Sequence, residues 1–395
     1  MLLPFHEKAF TVDDTTFLFE ARHALEDPLH PSAFDMVWTE VPERVSLMSG
    51  PVMAWLLMPA VAAGGSEWVA HATVLGMLAV ALFATVALAL RLQASPRAAM
   101  YAGLLVAAAP AVLGMAGTAM ADVPAMALGV LGLERSVAWR DGRRAHQAIA
   151  AAVLLALAAL TRSHLVLLLP IAALLVAGEF PGREAWRRSS WRAFVPIGAA
   201  PVIAGAILYV IRDPQPGAAG IAAAPALLSE AANILPNGVA FLVHWTLVLP
   251  LALPWAVLRP RPVFRRWWLV GLGAIGAGAL MVTRRLGPLW VAPLAGLSVA
   301  VLWDVSADAL KRRDYVQLAL ACWLFAPLAP APYSHLPPKY MLAAAPAVAI
   351  LVARAAIDRA APRARLAIVG AAVAGLALGI AILRADAAFA GLGRR

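Results

Sequence analysis

The stretch GMAGTAMADVPAMALGVLGLE, residues 114–134, belongs to an apolar run from Leu104 to Leu133 that one carboxylate, Asp122, interrupts. A charged side chain at bilayer depth costs about 2.5–3.5 kcal/mol, so such residues usually face a cavity or a charged partner. Pro124 falls in the first turn of a helix that begins beside Asp122. Either Asp122 is a functional carboxylate at the start of a membrane helix, or it only caps that helix in the wet interface.

The composition around this stretch is that of a helical membrane protein. Of the 395 residues, 62% are hydrophobic and 14% are charged, with a mean hydropathy of +0.79, whereas soluble domains carry about 25% charged residues. Apolar runs of about 20 residues recur, which is the length a helix needs to cross about 30 Å of hydrocarbon. The composition therefore predicts an all-α polytopic membrane protein.

The apolar windows predict twelve membrane spans. They lie at about residues 69–91, 98–116, 120–138, 147–161, 164–178, 194–211, 237–258, 267–283, 287–303, 315–331, 340–357 and 366–384. Residues 46–68 are also apolar but contain Gly50-Pro51 and Pro59, which predicts helices at the interface and not a clean span. We therefore predict an external cap, residues 1–68, and a transmembrane bundle, residues 69–395.

The loops between the spans fall into two alternating classes by charge. One class has at least two Lys or Arg in each loop: RLQASPR, WRDGRR, PGREAWRRSSWR, RPRPVFRR, DALKRRD and RAAIDRAAPRAR. The positive-inside rule assigns these loops to the cytoplasm, so the net charge of +10 does not indicate nucleic-acid binding. The chemically active residues of the other class share the opposite face: Asp13, Asp14, Asp122, Arg162, His335 and Lys339.

This alternation places the cap outside the cytoplasm with no helix before it to carry it there. We expect a further apolar helix upstream of Met1, making thirteen spans, in preference to unaided translocation. An in-frame apolar span encoded upstream would support this expectation.

The cap begins with FTVDDTTFLFEARHALEDPLHP, residues 10–31, in which two adjacent carboxylates precede an amphipathic pattern. Thr11 and Asp14 have the spacing of a capping box, and the pattern predicts a helix lying on the membrane surface. Asp13 or Asp14 then either satisfies free N–H groups at the helix start or belongs to a site on the external face.

Cations and aromatic residues on that face are candidate anion contacts. The candidates are Arg162, His164, Arg284, Arg285, His335, Lys339 and Tyr340. Lys339 and Tyr340 stand at a predicted helix start, where backbone N–H groups favour an anion. Interfacial Lys, Arg and Tyr also serve as plain membrane anchors, and a histidine such as His164 is more often structural than catalytic.

The order of these segments resembles the polyprenyl-phosphate-dependent glycosyltransferases of the GT-C fold. Within them the chain is most similar to the bacterial ArnT/RgtA-like enzymes and, more distantly, to the protein O-mannosyltransferases. The matching segments are FTVDDTTFLFEARHALEDP, GPVMAWLLMP, AMADVPAMAL, LALAALTRSHLVLLLP and PPKYMLAAAPAVAILVARA. The resemblance implies a GT-C-like bundle of about twelve helices, with the active site beneath the external acidic loop.

By position, the resemblance makes Asp13 the catalytic aspartate and general base, and Asp122 the second acidic position. Arg162 and the Lys339-Tyr340 pair stand where the family has Lys and Arg-Tyr, and imply contacts to the donor phosphate, with Arg284 and Arg285 as substitutes. The implied reaction moves a sugar, with inversion, from a polyprenyl phosphate to a lipid, glycan or protein hydroxyl. It takes place at the periplasmic or external face of a bacterial inner or plasma membrane. Asp14 and Asp122 would orient the acceptor or, with Asp13, bind a divalent cation such as Mg²⁺ or Mn²⁺.

Three departures from the family pattern leave the donor and the acceptor undetermined. Residues 49–52 read Ser-Gly-Pro-Val where the family often has Lys-Pro-Pro or Pro-Pro-Leu, so a basic contact to the donor is not expected there. Thr16 stands where a basic residue is often found. The chain also ends soon after its last predicted span, without the large external domain of many relatives.

Two other functions fit the composition. A transporter or lipid-linked-sugar flippase also has about a dozen spans, but transporters tend to bind near the midplane at paired broken helices, and the sequence shows no such pair. A catalytically inactive relative that only binds lipid-linked sugar would look much the same in sequence.

Overall fold

The computed structural model describes residues 2, 5, 8–37, 42–45, 50–178, 191–211, 230–284, 288–333, 335–357 and 362–392. Seventeen α-helices lie in these residues. They are α1 (Val12–Glu26), α2 (Val52–Ala62), α3 (Glu67–Arg91), α4 (Pro96–Ala108), α5 (Pro110–Ala116), α6 (Asp122–Gly142), α7 (Ala145–Thr161), α8 (Leu168–Ala177), α9 (Val195–Val210), α10 (Ile234–Leu247), α11 (Ala252–Leu258), α12 (Pro260–Phe264), α13 (Trp267–Arg284), α14 (Ala292–Arg312), α15 (Tyr315–Phe325), α16 (Ala345–Ile357) and α17 (Pro362–Leu392). The predicted all-α membrane architecture is confirmed.

The amphipathic helix predicted at the start of the chain is α1. The predicted capping box forms, because the Asp14 carboxylate accepts a hydrogen bond from the Thr11 backbone N–H at 2.8 Å. Between α1 and α2 lies an antiparallel pair of strands that the sequence did not predict, β1 (Asp35–Val37) and β2 (Pro42–Arg44). Three residues per strand are too few to show the alternation of a strand in the sequence.

The number of clean membrane spans is smaller than the twelve predicted. Within the described residues, six helices are long and apolar enough to cross a membrane, and up to eight if each of two bent helix pairs counts as one span. The predicted spans at 147–161, 164–178 and 315–331 correspond to shorter apolar helices. The predicted span at 120–138 is the long helix α6, which contains Glu134, Arg135 and Arg140 as well as Asp122. Apolar windows located the helices correctly but overestimated how many of them span by themselves.

Helix α6 forms the centre of the bundle. Most of its residues from Asp122 to Ala138 are buried, which is unusual for a helix with this many charges. Glu134 is buried and pairs with Arg91 of α3 and with Arg135. The helices α3, α7 and α8 all pack against α6, and they position the first residue of α6, Asp122, inside the protein.

The outer helices present apolar side chains to the outside. Val202 of α9, Ile275 of α13 and Leu366 of α17 are each 70% exposed or more. Single exposed apolar residues are ordinary, but helices of this hydropathy with apolar outer faces are typical of contact with lipid. The chain is therefore an integral membrane protein.

Candidate functional site

Asp122 lies at the buried start of α6. Its side chain is 3% exposed, and Pro124 occupies the first turn as the sequence predicted. The carboxylate accepts a hydrogen bond from Arg162 Nη2 at 2.7 Å. A buried carboxylate requires such a partner, since an unpaired buried charge is strongly destabilising.

Arg162 reaches Asp122 because the chain turns sharply between two helices. Its backbone is extended, with φ of −145° and ψ of 112°, between the end of α7 and a 3₁₀ turn at Ser163–Leu167. Its N–H donates to Ala158 and its carbonyl accepts from the Leu165 N–H, so the turn is fixed on both sides. The side chain is 10% exposed, and its guanidinium lies 5.7 Å from the centre of the Tyr340 ring.

Lys339 and Asp13 form a second ion pair. Lys339 lies in the 3₁₀ turn Pro338–Ala344 that leads into α16, and its Nζ is 2.9 Å from Asp13 Oδ2. The Asp13 side chain is 50% exposed, against 3% for Asp122, so this pair is open to solvent. Asp13 also lies within electrostatic reach of Arg162. We call Asp13, Asp122, Arg162, Lys339 and Tyr340 the charged cluster.

The charged cluster is flanked by aromatic rings. The ring of His164 lies edge-on to Tyr340 at 5.4 Å, and the ring of Tyr333 lies at 6.4 Å from it. Tyr333 was missed by the sequence analysis, although it lies in the same Pro-rich turn as His335. Asn237 of α10 holds this turn in place, since its Nδ2 donates to the carbonyls of Ala331 and Tyr333.

Asp14 does not face the charged cluster with Asp13. Its Oδ2 accepts hydrogen bonds from the backbone N–H and the hydroxyl of Thr11, and its Oδ1 accepts from the Ala119 N–H at 2.9 Å. Burial raises the pKa of Asp14, while these hydrogen bonds and the nearby Lys8 ammonium lower it. Asp14 thus fastens the start of α1 to the turn that precedes α6. Of the two interpretations of the acidic pair, capping describes the contacts of Asp14, whereas the Asp13 carboxylate pairs with Lys339.

The three carboxylates predicted as metal ligands do not converge. Both oxygens of Asp14 are occupied by protein donors, and Asp13 and Asp122 each pair with a cation. Within the described parts of the chain, no group of three His, Cys, Asp or Glu side chains could hold a metal ion. The residues do not fit the expected Mg²⁺ or Mn²⁺ site, and we derive no step through a metal.

The remaining sequence candidates are Arg284, Arg285 and His335. Arg284 is an exposed residue at the end of α13. Arg285 lies outside the described residues. His335 is exposed in the loop before Lys339.

Gly50 packs the cap against the turn that carries Arg162. Its φ is +72°, and a Cβ built on it would lie 1.6 Å from the carbonyl oxygen of Leu160, two residues before Arg162. Only glycine permits both this backbone conformation and this approach. Gly50 therefore makes a close backbone contact next to the charged cluster.

Comparison with known proteins identifies the fold. No protein-family model and no curated protein sequence matches the chain. The crystal structure of ArnT from Cupriavidus metallidurans bound to undecaprenyl phosphate is similar over 100% of this chain and 75% of its own, with a TM-score of 0.52 and 18% identity. The oligosaccharyltransferase of Archaeoglobus fulgidus in complex with Zn and sulfate is similar over 95% of this chain and 49% of its own, with a TM-score of 0.50 and 16% identity. The chain thus spans about half the length of the second protein, and it has the GT-C fold that the resemblance implied.

Proposed function

We propose that this protein is a membrane glycosyltransferase that moves a sugar from a polyprenyl phosphate to an acceptor hydroxyl at the non-cytoplasmic face. The observation that carries the proposal is the adjacency of two acid–base pairs, Asp13 with Lys339 and Asp122 with Arg162, one open and one buried. These are the two kinds of group the reaction needs, a base for the acceptor and cations for the phosphate.

The transfer is a single displacement at the anomeric carbon. The acceptor oxygen forms a bond to that carbon while the bond from the carbon to the phosphate oxygen breaks. The acceptor proton passes to the Asp13 carboxylate, and the electron pair leaves with polyprenyl phosphate. Attack opposite to the leaving group inverts the anomeric centre.

Exposure divides the roles within the charged cluster. Asp13 is half-exposed and can be reached by an acceptor, whereas Asp122 is buried and holds Arg162. When the donor binds, its phosphate takes Lys339 away from Asp13, and the carboxylate becomes free to accept a proton. Arg162, anchored by Asp122, stabilises the growing charge on the leaving phosphate.

The fold and the loop charges support the location of the reaction. The structure of ArnT, which has this fold, contains undecaprenyl phosphate. The arginine-rich loops predict the cytoplasmic face, which leaves the charged cluster at the periplasmic or external side. The acceptor is a hydroxyl of a lipid, a glycan or a protein, and transfer assays with each class distinguish them.

The test is transfer by purified protein from a panel of radiolabelled polyprenyl-phosphate sugars, measured as release of free polyprenyl phosphate. Asp13→Asn is expected to lower the rate by about 10²–10⁴-fold, the usual contribution of a general base, while binding of the donor is retained. Glu26→Gln removes an exposed carboxylate from the far end of the same helix and serves as the control. An Asp13→Asn variant that turns over like the wild type would end the assignment.

A transporter is the second candidate, because the structure contradicts the expected absence of paired broken helices. The pairs α4–α5 and α10–α11 are each bent by 59°, and the two breaks meet where the Ala111 N–H donates to the Val248 carbonyl. A groove of about 400 Å³ opens there, and Thr246 is the one polar residue among its described lining. Transport without release of polyprenyl phosphate in proteoliposomes would favour this function over transfer.

A further inference from the structure

A polar cavity separate from the charged cluster lies between α4, α16 and α17. It has a volume of about 310 Å³ and is lined by residues from the start of α4, the end of α16 and the start of α17. A water molecule takes about 30 Å³, so a cavity of this size has room for a small polar group.

This cavity lies at the opposite end of the bundle from the charged cluster. Lys339 stands at the start of the helical segment Pro338–Ile357 and Ile357 at its end, about 30 Å apart at 1.5–2.0 Å per residue. Helix α17 gives the same result. Its residue Asp386 pairs with Lys8 of the cap, and Arg365 lies about 30 Å before Asp386 along the helix. The cavity therefore opens at the end that the arginine-rich loops assign to the cytoplasm.

The polar lining that the structure describes consists of hydrogen-bond donors. Arg97, Tyr101 and Arg365 line the cavity together with Ser95, and its described lining contains no carboxylate. Arg97 and Arg365 form no ion pair with any residue that the structure describes. Apart from Arg365, residues 357–366 contain two further arginines and one aspartate, a net charge of +1.

The rest of the lining is apolar. Ala356 and Ile368 are buried beside Ile357, next to helix faces that carry exposed apolar residues such as Leu366 and Val369. A ligand with a negative head and a hydrocarbon tail would match both parts. Basic pockets between membrane helices on the cytoplasmic side bind anionic lipid head groups for this reason.

We propose that this cavity binds the phosphate of an anionic phospholipid of the cytoplasmic leaflet. Arg97 and Arg365 pair with the phosphate, and the hydroxyls of Tyr101 and Ser95 donate hydrogen bonds to it. The acyl chains lie along the apolar faces of α16 and α17. The site is independent of the charged cluster and of the proposed glycosyl transfer.

The test is native mass spectrometry of the delipidated protein, titrated with phosphatidylglycerol, phosphatidylcholine or glycerol 3-phosphate. Phosphatidylglycerol is expected to bind at least about tenfold more tightly than phosphatidylcholine. Replacing either arginine should weaken the binding of phosphatidylglycerol about fivefold, because one basic residue beside an anionic surface contributes about 1 kcal/mol. Arg97→Gln with Arg365→Gln should therefore remove the preference for phosphatidylglycerol. If glycerol 3-phosphate binds as tightly as the lipid, the phosphate alone is recognised and free phosphates are the ligands.

The control is Arg261→Gln with Arg265→Gln, which removes two exposed arginines of another cytoplasmic loop. This control should keep the preference for phosphatidylglycerol. Arg97→Lys with Arg365→Lys should keep it too, because both charges are preserved, and this variant is the second test if the glutamine variant fails to fold. An unchanged preference in the folded glutamine variant, or an equal loss in the control, would overturn the proposal.

Discussion

Replacing Gly50 by alanine tests whether the cap must sit tightly against the Arg162 turn. The new Cβ would lie 1.6 Å from the Leu160 carbonyl oxygen, so the backbones must separate. A contact of about 3.3 Å requires a shift of about 1.7 Å. The positive φ adds a strain of about 1–2 kcal/mol. Gly65 has a φ of +79°, and a Cβ added to it would meet nothing within 4 Å, so Gly65→Ala carries the strain without the clash.

The two variants should therefore differ in both stability and activity. We expect Gly65→Ala to lower the free energy of unfolding by about 1–2 kcal/mol and to retain wild-type turnover. Gly50→Ala should lower stability by more than that and reduce transfer about 100-fold, because a displacement of about 1 Å at a catalytic site has this effect. The assays are thermal unfolding in detergent and release of polyprenyl phosphate. Equal stability and equal turnover in the two variants would show that the contact with Leu160 does not position the site.

Two further predictions concern buried acids. Burial raises the pKa of Glu20 from 4.5 to about 7, and its Oε2 accepts no hydrogen bond from any described residue. The folded state therefore keeps the Glu20 proton to a higher pH than the unfolded state does. The contribution of Glu20 to the free energy of unfolding is full below about pH 4.5 and falls by about 3 kcal/mol as the pH rises to 7. Glu20→Gln should abolish this slope in melting curves between pH 5 and 8, and an unchanged slope would mean that another group causes it. Asp122→Ala should cost about 3–5 kcal/mol because it removes the carboxylate that pairs with the buried Arg162 guanidinium, and adding Arg162→Leu should recover most of that loss. A double variant no more stable than the single one would contradict this account of the buried pair.

The sequence predicted that the candidate residues share one face, but it did not predict how they pair. Loop charges alone placed Asp13, Asp122, Arg162 and Lys339 on one side, because every span reverses the side of the chain. Asp13 and Lys339 are 326 positions apart, and no local pattern encodes a contact at that separation. Which carboxylate meets which cation depends on packing around α6, and a single sequence does not reveal it.

The sequence also contained a signal for the contacts of Asp14. Thr11 and Asp14 have capping-box spacing. In the structure the Asp14 carboxylate accepts hydrogen bonds from the backbone N–H groups of Thr11 and Ala119. The resemblance to a family with two acidic residues at this point favoured a functional role for both. Local helix chemistry therefore predicted the contacts of Asp14 better than analogy did. The bends at Ala109 and near Pro250 were likewise invisible to apolar windows, which measure composition and not direction.

In the proposed transfer, burial decides which of the two ion pairs can exchange its carboxylate for the phosphate of the donor. Removing one partner from a buried pair costs about 3–5 kcal/mol, because the other charge stays behind without water, whereas an exposed pair contributes about 0–1 kcal/mol. The arriving phosphodiester carries a single negative charge, so it can displace only one carboxylate from its cation. Asp13, half-exposed, is rehydrated when Lys339 leaves it, and Asp122 is not. The energetics therefore favour Lys339 as the cation that moves to the phosphate and Asp13 as the base thereby released, while Arg162 stays on Asp122 throughout.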